Sequence, residues 1–211
     1  MTIYWFESLA STQEYLKKSL KNKTYEVPVS VVTMNQTDGI GSRRNRWIGN
    51  EGNLFFSFAI LKSELPSDLR LESASIYFMY LLKEILKEKG SKLWLKWPND
   101  FYIKSKKIGG CITYIQDKYI ICGIGINTKS SPENFAKLDI EIDEKELLNS
   151  YFDFIEKKIL WKQIFSKYRL EFENNISNVA YTINKKIAFS EVKMMGDGSL
   201  MHNGTRIYSQ R

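Results

Sequence analysis

The stretch between residues 93 and 126 constrains the fold more than any other part of the sequence. It holds four strand-like runs, at residues 93–97, 101–103, 108–115 and 119–126, and only short polar turns separate them. Connections this short join antiparallel neighbours, because a parallel pair needs a crossover of about a dozen residues or more. We therefore predict an antiparallel meander in this stretch.

The rest of the chain adds helices and further strands. Ser11-Thr12-Gln13-Glu14 has the pattern of a capping box, in which Ser11 accepts from the Glu14 amide and the Glu14 side chain reaches back. Residues 72–89 form the clearest amphipathic helix, with Lys83, Glu84, Lys87 and Glu88 opposite its apolar stripe. Residues 144–173 are predicted to be helical with a break. Residues 29–34 and 54–61 are strand-like.

These patterns predict an α+β protein with a mixed, largely antiparallel sheet and packed helices. The C-terminal stretch differs, because five short strand-like runs alternate there with turns such as Asn203-Gly204. The runs are at residues 181–183, 187–189, 192–195, 199–201 and 205–208. We expect a main domain at residues 1–172 and a small β domain at residues 173–211 that packs on it.

Composition excludes several chemistries. The one histidine, His202, rules out a zinc site with two histidine ligands, and Cys111 and Cys122 form neither a CxxC pair nor a disulfide framework. No apolar run approaches the ~18–20 residues that span a bilayer, and the N-terminus lacks a signal-peptide pattern. We expect a cytoplasmic protein with reduced thiols and no membrane partner.

The net charge of +7 has one local centre. Most lysines are scattered, whereas Arg43-Arg44-Asn45-Arg46 is a tight cluster between Gly39-Ile40-Gly41 and Trp47. The loop thus combines exposed backbone amides, fixed positive charge and an aromatic face. A phosphate-bearing ligand fits this combination, and a solvated loop with an anchoring tryptophan is the alternative. We expect no nucleic-acid partner.

Three further motifs place glycines and polar side chains at strand ends. The motifs are Lys96-Trp97-Pro98-Asn99-Asp100, Lys107-Ile108-Gly109-Gly110 and Gly123-Ile124-Gly125-Ile126-Asn127. In the first, the proline ends the strand and presents Asn99 and Asp100 to a cleft, although a plain turn would have the same sequence. Glycines in strands mark close approach of a ligand or another backbone. Tight packing against a helix is the alternative for the last motif.

In this order and with these gaps, the four motifs resemble those of biotin–protein ligases, the enzymes that attach biotin to a lysine of a carrier protein. The similarity runs from about Phe6 to Asn127 and more weakly through the C-terminal stretch. It implies the class II aminoacyl-tRNA synthetase-like fold of biotin and lipoate ligases, with an SH3-like C-terminal β segment. Because no winged helix-turn-helix precedes Ser11, we expect the monofunctional kind without repressor activity.

The resemblance implies a reaction in two steps. The biotin carboxylate attacks the α-phosphate of ATP, which gives biotinyl-5′-AMP and pyrophosphate, and a carrier lysine then attacks the mixed anhydride and releases AMP. The implied substrates are biotin and ATP, and Mg²⁺ accompanies the triphosphate without a cluster of protein ligands. The implied partner is the biotin carboxyl carrier protein of acetyl-CoA carboxylase.

The resemblance also implies roles for residues. The implied biotin-binding residues are Ser11, Thr12, Gln36, Gly39, Ile40, Lys107, Gly110, Ile112, Gly123 and Ile124. The implied ATP-binding residues are Arg43, Arg46, Trp47, Asn99, Asp100, Lys107 and Asn127. Trp47 would cover the adenine, and Asn127 would read its edge. The catalytic set is Lys107, Arg43 and Asp100, where Asp100 orients the incoming amine or accepts its proton.

The sequence departs from the family pattern in the arginine loop. Ile40, Ser42, Arg44 and Asn45 replace residues of the pattern Gly-Arg-Gly-Arg-Arg-Gly-Arg-x-Trp, so the arginine that meets the phosphate stays open among Arg43, Arg44 and Arg46. The acidic residue often found after the double glycine is also absent, which leaves the reaction class intact.

Two rival functions and the oligomeric state stay open. A lipoate or octanoate ligase uses the same adenylation logic on a related fold, and a basic nucleic-acid-binding module would use the arginines and Trp47. The binding module leaves Asp100, Lys107 and Asn127 without a role. Exposed strand edges near the site could pair two chains in a homodimer or dock the carrier.

Overall fold

The computed structural model describes residues 1–41, 45–175, 179–181 and 186–208. Its frame is a seven-stranded sheet of β1 (Thr2–Phe6), β2 (Val29–Thr33), β5 (Leu54–Leu61), β6 (Trp94–Lys96), β7 (Asp100–Ile103), β8 (Lys106–Gln116) and β9 (Tyr119–Ile126). The strand order is β1-β2-β5-β9-β8-β7-β6. Only β1 and β2 pair in parallel within this sheet. The predicted mixed, largely antiparallel sheet and its meander over β6–β9 are confirmed.

Helices cover both faces of the sheet. Helix α1 (Thr12–Lys21) packs on one face, over a small cluster that includes Leu16, Val31 and Ile121. Helix α2 (Ala74–Glu88) packs on the other face together with α3 (Glu144–Glu156) and α4 (Trp161–Asn174). This second face carries the main core. The run of β5 is apolar because helices bury it on both sides.

The break predicted within residues 144–173 separates α3 from α4. Lys158 in the connection has a positive φ of 48°, which ends the first helix. The second helix begins at Trp161, where the Asp68 carboxylate accepts the amides of Trp161 and Lys162 at 2.8 and 3.0 Å. A carboxylate at a helix N-terminus satisfies free amides and opposes the positive end of the dipole.

Two local predictions about helices were wrong in part. Ser11 accepts from the Glu14 amide at 3.4 Å as expected, but the Glu14 carboxylate contacts Lys17 at 2.7 Å instead of reaching back. Lys83 is buried although it lies opposite the apolar stripe of α2. Helix α4 packs against that side and supplies Glu171 as an ion-pair partner, and the Lys83 ammonium also lies over the Tyr80 ring.

Strand predictions missed the edge strand β1 and two short strands within residues 39–47, and they misplaced others. The edge strand β1 was not expected, because it is short and largely exposed. Asp100 is the first residue of β7 rather than part of a loop beyond a strand. Phe189 lies in a 3₁₀ turn, Phe189–Glu191, and not in a strand. His202, which follows the predicted run 199–201, is the last residue of a strand. Residues 182 and 183 lie outside the described residues.

The remaining strands form three small sheets. The first pairs β3 (Gly39–Ile40) with β4 (Arg46–Trp47), beside the main sheet. The second pairs β10 (Val179–Tyr181) with β11 (Lys186–Ala188), and the third contains β12 (Lys193–Met194), β13 (Leu200–His202) and β14 (Thr205–Ile207). No helix in the described part of the chain has both the length and the apolar character needed to cross a membrane.

The C-terminal strands pack on the larger part of the chain. The indole nitrogens of Trp97 and Trp161 donate to the carbonyls of Gly198 and Gly196 at 2.9 and 2.8 Å. Phe189 and Leu200 are buried in the main core. Helix α4 crosses the expected division between residues 172 and 173, and that domain boundary stays a prediction.

Candidate active site

A row of small residues leaves a cavity between the main sheet and α1. Ser57 of β5 pairs with Gly123 of β9, which pairs with Ile112 of β8. One step along the same face, Gly125 of β9 pairs with Gly110 of β8, which pairs with Asp100 of β7. Because side chains two residues apart share a face, the glycines Gly110, Gly123 and Gly125 clear one continuous floor. The cavity has a volume of about 250 Å³.

Neutral hydrogen-bonding groups make up one end of the cavity. The Gln36 Oε1 atom accepts from the Thr12 amide at 2.9 Å and from the Thr12 hydroxyl at 3.2 Å. The Thr12 hydroxyl also lies 2.8 Å from the Ser57 hydroxyl. We call these three residues the neutral end. Thr12 and Ser57 are buried, and Thr12 is the first residue of α1, so this end is held by a helix terminus and a central strand.

An ion pair lies in the cavity wall. The Lys107 ammonium is 2.6 Å from the Asp100 carboxylate, and both side chains are about a quarter exposed. Gly110 lies beneath the pair, where a Cβ would come 2.7 Å from Asp100 Oδ1. The Asn99 side chain donates to the Cys111 carbonyl at 2.5 Å, which fixes the turn immediately before Asp100. Lysine and carboxylate are therefore adjacent but still open to a ligand.

Two buried polar atoms without partners mark the far end. Trp47 packs across Gly125, where a Cβ would come 2.9 Å from the indole, and the Trp47 Nε1 atom has no hydrogen-bond partner. The Asn127 amide donates to the Ala136 carbonyl at 3.1 Å, whereas its buried Oδ1 atom is unpaired. Lys107 lies 5.3 Å from the Trp47 ring. We call Trp47, Asn127 and the Lys107–Asp100 pair the polar end. Unpaired buried polar atoms are costly, and here both belong to residues that line the cavity.

Most of the residues predicted for the site line this one cavity. They are Ser11, Thr12, Gln36, Ile40, Arg46, Trp47, Asn99, Asp100, Lys107, Gly110, Ile112, Gly123, Ile124 and Asn127. Gly39 lies behind the wall, where a Cβ would come 2.5 Å from the Gln36 amide nitrogen. Arg43 and Arg44 lie outside the described residues. The functional role of each residue stays a prediction.

The position of Arg46 bears on the choice among the arginines. Its guanidinium donates to the Thr37 carbonyl at 2.9 Å and lies 3.5 Å from the Asp38 carboxylate. These contacts hold the Arg46 guanidinium against the segment that leads into β3, although Arg46 also lines the cavity. The phosphate contact therefore stays open among the three arginines.

Sequence reasoning missed several residues of the cavity wall, namely Gln13, Ile48, Ser57, Pro132 and Phe135. Ser57 had a usable signal, because it is the one polar residue in the apolar run of β5. Pro132 and Phe135 carried no signal, since they lie in an irregular loop after β9.

The Cys122 thiol beneath the cavity floor is a poor nucleophile. Burial, together with a hydrogen bond to Cys111, raises the pKa of the Cys122 thiol well above its ordinary value. The Cys111 sulfur lies 3.7 Å from the Ser75 carbonyl, on the α2 side of the sheet. A thiol held neutral serves as a small core residue. In the described part of the chain, no three His, Cys, Asp or Glu side chains are grouped closely enough to hold a metal ion.

Comparison with known proteins assigns the chain to a family. The model of the biotin/lipoate A/B protein ligase family matches residues 5–127, and the chain belongs to this family. The chain is 29% identical over 138 residues to the bifunctional ligase/repressor BirA of Bacillus subtilis, covering 63% of this chain and 42% of that protein. It spans less than half the length of the curated relatives that it matches.

Solved structures give the fold independently. The biotin acetyl coenzyme A carboxylase synthetase from Helicobacter pylori, crystallised with bound biotinylated ATP, has a TM-score of 0.93 and 36% identity. That match covers 98% of this chain and 99% of the other. The biotin protein ligase of Aquifex aeolicus has a TM-score of 0.77 at 23% identity, covering 98% of this chain and 94% of that chain. The implied biotin ligase fold is confirmed.

Proposed function

We propose that this protein is a biotin–protein ligase, which activates biotin with ATP and transfers it to a carrier lysine. The observation that carries the proposal is the division of one cavity into a neutral end and a polar end that includes Lys107. Biotin is a neutral bicyclic ring joined by a short chain to a carboxylate. Its ring fits the neutral end, and its carboxylate then reaches Lys107.

The nucleotide is assigned to the polar end. Trp47 offers an aromatic face for adenine, and the unpaired Asn127 Oδ1 atom is an acceptor for the amino group on the adenine edge. The α-phosphate would then lie near Lys107. This placement matches unpaired protein atoms to the polar groups that adenine offers. The H. pylori protein was crystallised with bound biotinylated ATP, which supports the choice of biotin and ATP as the two substrates.

In the first step, a biotin carboxylate oxygen attacks the α-phosphorus and forms a P–O bond. The bond from phosphorus to the bridging oxygen breaks, and pyrophosphate leaves with the electron pair. Two anions must approach each other, so the Lys107 ammonium lowers the barrier by offsetting negative charge that builds up in the transition state. Among the described residues, Asp100 is the single carboxylate at the cavity wall, so Mg²⁺ would arrive on the phosphate oxygens of ATP.

In the second step, a carrier lysine amine attacks the acyl carbon of biotinyl-5′-AMP. The bond to the phosphate oxygen breaks, AMP leaves, and the amine loses a proton. Asp100 is the assigned acceptor or orienting group. When Lys107 turns to the anionic ligand, it leaves the Asp100 carboxylate, which lies 2.6 Å away, free for the incoming amine.

We assign carrier docking to the outer edge of β8. Strand β7 pairs with β8 only as far as Gly110, and Cys111 donates to the Asn99 carbonyl. Beyond Cys111, none of the described strands pairs with that edge, and Tyr114 is 44% exposed there. An open edge beside Ile112 of the cavity suits the backbone of a biotin carboxyl carrier protein, or a second copy of this chain in a homodimer. Cytoplasmic location and the absence of a nucleic-acid partner remain predictions.

The test is biotin-dependent exchange of labelled pyrophosphate into ATP, run in parallel with lipoate. We expect exchange with biotin but not with lipoate. When the apo carrier is then added, we expect biotin to be attached to a carrier lysine. Exchange with lipoate but not with biotin would contradict the proposal. The absence of exchange with either acid would favour a binding module.

A further inference from the structure

Asn53 is a buried side chain that the reaction as proposed does not use. It lies immediately before β5, is fully buried, and does not line the cavity. Its Oδ1 atom accepts the amides of Lys129 and Ser130 at 2.9 and 3.2 Å, and its Nδ2 atom donates to the Ser130 carbonyl at 3.0 Å. All three bonds go to one loop, so Asn53 anchors that loop.

The anchored loop comprises residues 128–136 and forms part of the cavity wall through Pro132 and Phe135. Its other end is also fixed, because the Ala136 amide donates to the Lys107 carbonyl at 2.9 Å. The Ala136 carbonyl in turn accepts the Asn127 side-chain amide. The loop thus has one anchor at Asn53 and a second at the polar end of the site.

We propose that Asn53 is a positioning residue for nucleotide binding, and this inference rests on the proposed function. Its three bonds set the start of the 128–136 loop, and the loop sets Phe135 and the orientation of the Asn127 amide. That orientation leaves the buried Asn127 Oδ1 atom unpaired, on a residue that lines the cavity. The neutral end has its own bonds among Thr12, Gln36 and Ser57, and none of these involves the loop. We therefore expect Asn53 to affect the binding of ATP and not the binding of biotin.

The experiment compares Asn53→Ala with the matched control Asn50→Ala, which changes an exposed asparagine three residues earlier. Without the side chain, the loop loses the partners of two amides and one carbonyl. We expect KM for ATP in the exchange assay to rise about tenfold, with KM for biotin within about twofold of wild type. The Asn50→Ala control should match wild type in both.

A conservative variant separates positioning from general damage. Asn53→Asp keeps the acceptor for both loop amides, and in its protonated form the carboxyl O–H donates to the Ser130 carbonyl in place of the amide. We expect its KM for ATP to rise about threefold, between wild type and alanine. Amide hydrogen exchange should accelerate within residues 128–136 in Asn53→Ala while β5 and β9 keep their protection.

Two results would overturn the inference. One is an unchanged KM for ATP in Asn53→Ala, and the other is an equal rise of both KM values together with faster exchange throughout the sheet, which would indicate a purely structural role. If the wild-type enzyme fails to exchange pyrophosphate, the proposed function fails. Binding of a non-hydrolysable ATP analogue and the hydrogen-exchange pattern then still decide the role of Asn53.

Discussion

The two ends of the cavity handle their polar atoms in opposite ways. At the neutral end, the side chains of Thr12, Gln36 and Ser57 are bonded to one another. At the polar end, Trp47 Nε1 and Asn127 Oδ1 are buried without partners, and Lys107 and Asp100 keep a partly exposed ion pair. The hydrogen-bonding groups of the neutral end are paired within the protein, whereas those of the polar end are still able to form hydrogen bonds with a ligand.

This difference teaches how one pocket can organise two unlike substrates. A prebonded network is rigid, so it selects a neutral ring by shape and by a few directed hydrogen bonds. Unpaired buried polar groups lower the stability of the fold. Together with a partly exposed ion pair, they can form new hydrogen bonds and ion pairs when a charged ligand binds. Substitutions at the two ends should therefore change different kinetic constants.

The largest effect is expected for Lys107→Ala. The variant removes the cation between the two proposed anionic groups, so biotin-dependent pyrophosphate exchange should fall by about 10²–10³-fold or more. The thermal midpoint should change little, because the side chain is partly exposed and its pair with Asp100 contributes little to stability. Lys106→Ala, an exposed neighbour on the same strand, is the control and should keep wild-type activity. Wild-type turnover in Lys107→Ala would contradict the role assigned to Lys107 in the adenylation step.

A smaller effect is expected for Gly110→Ala, which leaves the charges but moves them. The added methyl would lie 2.7 Å from Asp100 Oδ1 and 3.2 Å from the Asn99 carbonyl, so the Asp100 carboxylate must shift away from Lys107. A displacement near 1 Å can lower a rate about 10²-fold. Gly196→Ala is a matched control, because a Cβ there meets nothing within 4 Å. Single-turnover adenylation measures the loss, and equal rates in the two variants would contradict the assigned geometry.

The neutral end is tested by Thr12→Val, which keeps the shape of the side chain and removes its hydroxyl. Gln36 loses a part-buried hydrogen bond and Ser57 loses a buried one, and KM for biotin should rise about tenfold. KM for ATP should remain within about twofold of wild type, since the change does not reach the polar end. Thr205→Val, at an exposed strand position, is the control. A matching rise in both constants would show that the two ends are not independent.

The sequence predicted the Lys107–Asp100 pair but not the contact between Thr12 and Ser57, and the reason is chain distance. Lys107 and Asp100 belong to consecutive strands of one hairpin, so a short turn and a period-two pattern bring them together. Thr12 and Ser57 are 45 residues apart, and their contact depends on how α1 settles on β5. Local patterns do not contain that packing, so Ser57 was missed.

The same limit applies to the rest of the fold. The meander, the long strands and the main helices follow from local periodicity, whereas the parallel edge strand β1 is recognisable only from its pairing with β2. Buried Lys83 depends on Glu171 of α4, which comes 88 residues later. Asn53 likewise serves a loop that begins more than seventy residues further along the chain. Tertiary contacts of this kind override the local preference of a polar side chain for solvent.

Ionic strength should produce the smallest effect and provides a test without mutation. The polar end attracts ATP partly through charge, so KM for ATP should rise roughly threefold between about 0.05 and 0.5 M salt, as the screening length shortens. Binding of biotin methyl ester, which lacks the carboxylate charge, should change by less than about twofold because the neutral end carries no charge. Titration calorimetry with the ester and exchange assays with ATP measure the two. An equal salt dependence would mean that charge does not distinguish the two ends, and that shape alone separates them.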